Sequence, residues 1–260
     1  MNYIQDFIYV NKQTITKSAK GLTKNWGIIF TGIVYTIISM LVGMLMGLLF
    51  RGPLSIIGGF ISYFIQSAII SNYLYLLFNI INYNKFSIND FKQGFMYFIW
   101  KIYGVLFIIY LGQLLLSMIS NMLGSGAYAI SMIVGILVLI IFNPLPETIY
   151  LKGYSPSDTL MYNFEFMKEN WFNWLVPNII FLGLLYFLTG NVMLNLFNTG
   201  VNLRLNYDIR TIIEYLIGQL IFSFMMIYRG YLFKLLSTST RRKRMFMNKF
   251  WVGEKFEQYR

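Results

Sequence analysis

The sequence predicts an all-α integral membrane protein with six transmembrane helices. Three observations support this class: long uncharged runs, a low charged fraction, and cations concentrated in alternate connecting segments. Only 12% of the 260 residues are charged and 57% are hydrophobic, whereas a soluble domain has about one quarter charged residues. A chain surrounded by lipid can expose apolar side chains, so it does not need a polar shell.

Uncharged runs locate the predicted spans. Four such runs lie between Lys24 and Arg51, Arg51 and Lys85, Lys101 and Glu147, and Glu169 and Arg204. One crossing takes about 20 apolar residues, so the run after Lys101 holds two helices, which separate at the Gly/Ser-rich turn 121–126. With a sixth span near the C-terminus, the predicted helices are 27–49, 55–80, 101–121, 127–146, 172–194 and 211–235.

The distribution of cations predicts the orientation. All but three of the 21 Lys and Arg residues fall on one side of this topology, and the exceptions are Arg51, Arg204 and Arg210. The positive-inside rule places the cation-rich side, with the N-terminus and the C-terminus, in the cytoplasm. All five tryptophans lie at or beyond the same boundary, where indole rings are enriched. Because the composition is typical of an AT-rich bacterial genome, the expected location is the bacterial cell membrane.

The pattern of short polar segments before pairs of spans predicts an internal repeat. Ser87 with Asp90, and Ser155 with Asp158, are spaced as helix-capping boxes, and Pro156 suits a first helical position. The prediction is three tandem units, each an amphipathic interfacial helix followed by a helical hairpin. Since interfacial helices are common, chance similarity is the alternative. The units would cover 12–83, 84–150 and 151–236 of one six-span domain, 1–240, which is followed by a basic and aromatic tail, 241–260.

Two polar segments within or beside the spans are candidate sites. Glu214 and Arg210 form a candidate intramembrane polar site, because ionisable residues in spans are often functional; the alternative is an ion pair at the membrane interface. Pro144, Pro146 and Glu147 form a candidate hinge, because prolines free backbone carbonyls. The alternative there is a helix stop at the cytoplasmic surface.

Two further structural predictions concern a proline and a set of small residues in the spans. Pro177 is interpreted in the same way as the proline pair, as a bend or an end of a helix. Ser39, Gly43 and Gly47 form a stripe of small residues on the first span, for which internal helix packing is favoured over a dimer face.

The segment after the last span is a candidate lipid-binding surface. Basic and aromatic residues beside a membrane suit anionic head groups, although an ordinary stop-transfer cluster would look the same. The residues concerned are Arg241, Arg242, Lys243, Arg244 and Trp251. The net charge of +11 flanks apolar runs instead of forming a soluble basic face, so nucleic acid is not an expected partner.

Catalytic motifs are absent from the sequence. With no Cys and no His, the chain has no disulfides, no thiolate or imidazole metal ligands, and no Cys or His catalysis. A phosphate-binding loop, a nucleophile elbow and a pair of acids within one span are also missing. The chain is therefore predicted to be non-enzymatic and to need no cofactor.

Short motifs at the start of the predicted units resemble those of a known group of proteins. They are Lys24-Asn-Trp26, Phe86-Ser-Ile-Asn-Asp-Phe91, Ser157-Asp-Thr159 and Lys168-Glu-Asn-Trp171. In these the chain resembles bacterial six-pass proteins related to the membrane domain that precedes some glycerophosphodiester phosphodiesterases. The resemblance implies a membrane-embedded accessory or transport-related module and supplies no catalytic residues.

Three functions follow as hypotheses. The leading one is a non-enzymatic module in transport or envelope homeostasis, which acts with anionic lipids of the inner leaflet or with a partner membrane protein. The first alternative is the permease subunit of an ABC-type exporter or immunity transporter for peptides, with a separate ATPase as its partner. The second alternative, an intramembrane enzyme, is disfavoured because the catalytic groups are missing.

Overall fold

The computed structural model describes residues 3–123, 127–193, 195–202 and 208–244. The structure is 87% helical, and no strand occurs in these ranges. The helices are α1 Tyr3–Lys24, α2 Thr31–Leu49, α3 Ser55–Tyr83, α4 Ile88–Tyr97, α5 Ile99–Leu123, α6 Ala127–Ile141, α7 Leu145–Leu151, α8 Pro156–Thr189 and α9 Ile209–Thr238. Two short 3₁₀ helices, Trp26–Phe30 and Gly52–Leu54, precede α2 and α3.

In the described part of the chain, six helical segments are long and apolar enough to cross a membrane. They are Trp26–Leu49, Gly52–Tyr83, Ile99–Ser120, Ala129–Leu151, Pro156–Thr189 and Ile209–Thr238. Their outer faces carry many exposed large apolar side chains, as expected where lipid is the solvent. The structure thus confirms the predicted all-α, multi-pass class. We call the end of the bundle with Lys24, Lys85 and Lys152 the basic end, and the end with Arg51 and Arg210 the opposite end.

The fourth span is interrupted at its proline pair. α6 ends at Ile141, the chain turns, and the short helix α7 starts again at Leu145. Pro144 precedes the first residue of α7 and Pro146 lies in its first turn, where a missing N–H costs nothing because it would have no helical partner. Residues 144–150 are all buried, so α7 lies inside the bundle against α3, α8 and α9.

The fifth span is longer than the sequence indicated. The third predicted interfacial helix and the fifth span form one continuous helix, α8, and Pro177 lies within it. The helix does not end at Pro177, so that part of the expectation is wrong. Neighbouring helices can compensate for the backbone hydrogen bond that proline removes, and Pro177 is buried among them.

The predicted capping boxes occur in full at one site and in part at the other. Ser87 N donates to Asp90 Oδ2 at 2.6 Å, and Asp90 N donates to Ser87 Oγ at 3.2 Å, so α4 begins with both reciprocal bonds. At the start of α8, Asp158 N donates to Ser155 Oγ at 3.2 Å. In the first two predicted units a separate helix, α1 or α4, precedes the spans. In the third unit the predicted interfacial helix is instead the N-terminal part of α8. The repeat itself stays a prediction.

After α8, the described residues 190–193 and 195–202 enter the bundle in an irregular conformation. Phe197 and Val201 are buried, and Val201 N donates to Gln219 Oε1 at 2.9 Å. A Cβ on Gly200 would lie only 2.9 Å from Gly32 Cα, so glycine at both positions allows the two backbones to touch. Irregular backbone at this depth is tolerated because protein, not lipid, surrounds it.

The stripe of small residues on α2 faces outward. Ser39, Gly43 and Gly47 are exposed, and a Cβ on either glycine would meet nothing within 4 Å. The expectation of internal packing for this stripe is therefore wrong. The close backbone approach of α2 instead uses Gly32, nearer its start.

Candidate functional site

A buried ion pair joins α7, the second half of the interrupted fourth span, to α9. Arg229 Nε donates to Glu147 Oε1 at 2.8 Å, and Arg229 Nη2 donates to Glu147 Oε2 at 2.9 Å. Glu147 is completely buried and Arg229 nearly so. This two-point geometry matches the planar guanidinium to the carboxylate. Removal of either partner would leave an uncompensated charge inside the protein, which is strongly destabilising.

Asn143 and Trp174 make further contacts with Arg229 and with each other. Arg229 Nη2 also donates to the backbone oxygen of Asn143 at 2.6 Å, a carbonyl freed by the break between α6 and α7. The guanidinium lies 5.3 Å from the ring centre of Trp174, a distance at which cation–π attraction operates. Trp174 Nε1 in turn donates to Asn143 Oδ1 at 2.9 Å. Asn143 therefore ties α6, α8 and α9 together.

Two features of the local sequence make this arrangement possible. A Cβ on Gly230 would lie 2.6 Å from Tyr150 Oη and 2.7 Å from Ile81 Cγ1, so glycine there lets α9 approach α3 and α7. Lys101 Nζ donates to the carbonyls of Ile149 and Lys152 at 3.0 and 2.6 Å. These bonds satisfy carbonyls at the C-terminal end of α7, where a helix of any length lacks intrahelical donors.

A second buried ion pair closes the basic end. Arg244 Nε donates to Asp6 Oδ1 at 3.0 Å, and Arg244 Nη2 donates to Asp6 Oδ2 at 2.8 Å. Asp6 also accepts a hydrogen bond from Asn173 Nδ2 at 3.1 Å, and Arg244 also donates to the Ser239 carbonyl. Both charged side chains are buried. This clamp fixes α1 to α8 and to the segment after α9.

Helix α1 presents three distinct faces. Its small and polar face, with the buried residues Thr14 and Ser18, lies in the bundle, and Gly21 brings it close to Ile227 and Tyr231 of α9. Both hydroxyls donate to carbonyls one turn back, so burial leaves neither unpaired. The second face is apolar and exposed, and the third carries exposed lysines. The outward residues are Ile4, Ile8 and Ile15, and Lys12, Lys17, Lys20 and Lys24.

The candidate polar site at the opposite end is a surface ion pair. Arg210 Nε and Glu214 Oε1 are 2.8 Å apart, with the two side chains 82% and 38% exposed. They lie in the first turns of α9, about five turns from Arg229, so the structure does not bring them together with the Glu147 pair. Exposed pairs of this spacing contribute only about 0.3–0.5 kcal/mol.

The basic cluster after α9 divides into two environments. Arg242 and Lys243 are exposed and Arg241 is half-buried, so their proposed contact with head groups stays a prediction. Arg244 differs, since its guanidinium is already bound to Asp6. Trp251 lies outside the described residues.

Sequence reasoning included Glu147 and Arg244 among the candidates but missed their partners, Arg229 and Asp6. The available signal was limited to Glu147 and Arg229, which lie at the borders of separate apolar runs, where ionisable residues are candidates for a function. Asp6 and Arg244 lie outside the predicted spans and carried no such signal. Separations of 82 and 238 residues hid the pairing, because no helical spacing rule covers such distances.

The two ion pairs connect elements that are far apart in the sequence. Both Glu147 oxygens accept a hydrogen bond from Arg229, and both Asp6 oxygens accept one from Arg244, so each pair has the same two-point geometry. Among the described residues, no group of three or more acidic, His or Cys side chains could hold a metal ion. In comparisons with known proteins, no family model, no curated protein and no solved structure matches this chain.

Proposed function

We propose that this protein is a non-enzymatic module of the bacterial cell membrane, which acts in transport or envelope homeostasis through anionic lipids and partner proteins at its basic end. In this proposal the basic end faces the cytoplasm. The sequence resemblance to the membrane domain associated with glycerophosphodiester phosphodiesterases agrees with an accessory role of this kind.

The observation that carries the proposal is the way α1 is held. Its polar face is fixed to α9 and to Arg244 by buried contacts, while Ile4, Ile8 and Ile15 remain exposed. Lysines occupy the adjacent face. A helix with an apolar face beside a basic face lies in the plane of the interface, with the apolar side towards acyl chains and the cations among head groups. Each cation near an anionic surface contributes about 1 kcal/mol.

The first test concerns orientation. The chain contains no cysteine, so single cysteines report one position each. We expect a membrane-impermeant maleimide to label Arg51→Cys in intact bacterial cells but to label Lys85→Cys only after permeabilisation, because the positive-inside rule places the basic end inside. Both positions are exposed. Labelling of Lys85→Cys in intact cells would contradict the proposed orientation.

The second test concerns the position of α1 in the membrane. A fluorophore on Ile8→Cys, reconstituted in vesicles with anionic and brominated lipids, should be strongly quenched because that side chain meets acyl chains. The matched variant Lys20→Cys, also exposed on α1, should be quenched much less, because its face is turned to the head groups and water. Equal quenching at the two positions would show that α1 does not lie in the interface, and the proposal would fail.

A further inference from the structure

A cavity of about 240 Å³ lies between α6, α8, α9 and the irregular segment after α8. Its walls are mostly apolar and include Phe222, Met225 and Met226 of α9, and Arg229 also borders it. Ile140 and Ile179 lie on its rim and are exposed on the outer faces of α6 and α8. The cavity therefore opens sideways, between these two helices, towards the surrounding lipid.

Arg229 has unused hydrogen-bonding capacity beside this cavity. Nε and both protons of Nη2 are used by Glu147 and Asn143. Nη1 has no hydrogen-bond partner in the described part of the chain, and it is not one of the fully buried unpaired atoms there. A ligand that enters the cavity can therefore bring an acceptor to Nη1, and a paired donor is favoured over an unpaired one in an apolar place.

The charge of the site restricts the chemistry of that acceptor. Glu147 already neutralises Arg229, so a carboxylate or a phosphate in the cavity would add an uncompensated negative charge, which is costly in an apolar place. A neutral carbonyl oxygen adds none. The unbranched, adaptable methionine side chains of the wall suit a flexible hydrocarbon chain.

The depth of Arg229 indicates the source of such a carbonyl. At 1.5 Å per residue, Arg229 lies about 30 Å along α9 from Ile209, and the hydrocarbon core of a bilayer is about 30 Å thick. The Arg210 side chain is 82% exposed, which places the charged start of α9 at the opposite boundary, so Arg229 is close to the boundary of the hydrocarbon core at the basic end. Phe222, Met225 and Met226 extend from it towards the membrane centre, the direction that an acyl chain takes from its ester.

We infer that this cavity is a binding site for a membrane lipid of the basic-end leaflet, whose ester carbonyl accepts a hydrogen bond from Arg229 Nη1 and whose acyl chain occupies the apolar part. The lipid enters between α6 and α8. The site goes beyond the proposed function, since it requires neither the α1 surface nor an anionic head group.

Native mass spectrometry of the full chain in a mild detergent tests this inference directly. With a defined diester phospholipid added, we expect one lipid to stay bound. Its diether analogue, with the same head group and chains but no carbonyl, should bind about 10- to 100-fold more weakly, since it cannot accept the hydrogen bond from the charged Arg229 side chain. Equal retention of the two lipids, or retention of neither, would overturn the inference.

Two neighbouring residues of α8 provide a matched pair of variants. Ile179 and Ile180 are 63% and 57% exposed, but only Ile179 borders the cavity. Ile179→Trp should block the opening and lower ester-lipid occupancy about tenfold or more, whereas Ile180→Trp should bind as the unmodified protein does. Equal occupancy in the two variants would refute the proposed entrance. The ester–ether comparison needs no variant, so it decides the question even if the Ile179→Trp substitution disturbs folding.

Discussion

Glu147→Gln is expected to lower the free energy of unfolding by about 3–5 kcal/mol, because it leaves the buried Arg229 without a counter-charge. The loss should exceed that of an ordinary core substitution, since the guanidinium also anchors Asn143 of the chain break and stacks on Trp174. Titration of the purified protein with a denaturing detergent, followed by circular dichroism, measures the change.

Glu214→Gln is the matched control for this prediction. It makes the same chemical change in an ion pair of the same length, but this pair is exposed, so the expected loss is at most about 1 kcal/mol. The double variant Glu147→Leu with Arg229→Met should be more stable than Glu147→Gln, because it buries no unpaired charge. Equal losses for Glu147→Gln and Glu214→Gln would show that the buried pair does not stabilise the bundle.

Arg244→Gln is expected to release α1 from the bundle without unfolding the rest. The substitution leaves Asp6 buried and without its cation, at a cost of about 3–5 kcal/mol. Because α1 meets the bundle mainly through α9 and short polar side chains, the cost should appear as local opening. Hydrogen exchange of the α1 amides should accelerate on the order of 100-fold or more, while the α3 amides keep their protection.

Arg242→Gln provides the control for the α1 clamp. It removes an equal charge from the same basic cluster, but Arg242 is exposed, so exchange in α1 should stay unchanged. If Arg242→Gln accelerated exchange as much as Arg244→Gln did, the net charge of the cluster, and not the buried pair, would hold α1.

The sequence predicted the spans because their signal is local. Uncharged runs of about 20 residues have few alternatives to a bilayer, and the break at Pro144 and the cap at Ser87 follow from the chemistry of single residues. The continuous helix through Pro177 escaped prediction for the opposite reason. Whether a helix tolerates proline depends on neighbouring helices, which no local window contains.

The candidate site was only half predictable. Glu147 stood out beside two prolines, and Arg244 in a basic cluster, but a charge reveals its partner only when the fold brings the two together. Asp6 lies within a helix that resembles an ordinary interfacial segment, and Arg229 near the end of a span resembles a snorkelling cation. The cavity beside Arg229 depends on four separate segments, and so no sequence pattern marks it.

The pairing of α1 with α9 has a consequence for the order of assembly. During synthesis α1 is made long before α9, so its polar face with Thr14 and Ser18 has no docking partner while the intervening spans are inserted. In this interval only the isoleucine face can hold α1, at the surface of the membrane. Docking of α1 onto α9 is therefore expected to be a late event in biogenesis, and a ribosome that stalls before α9 leaves a chain in which α1 is still undocked.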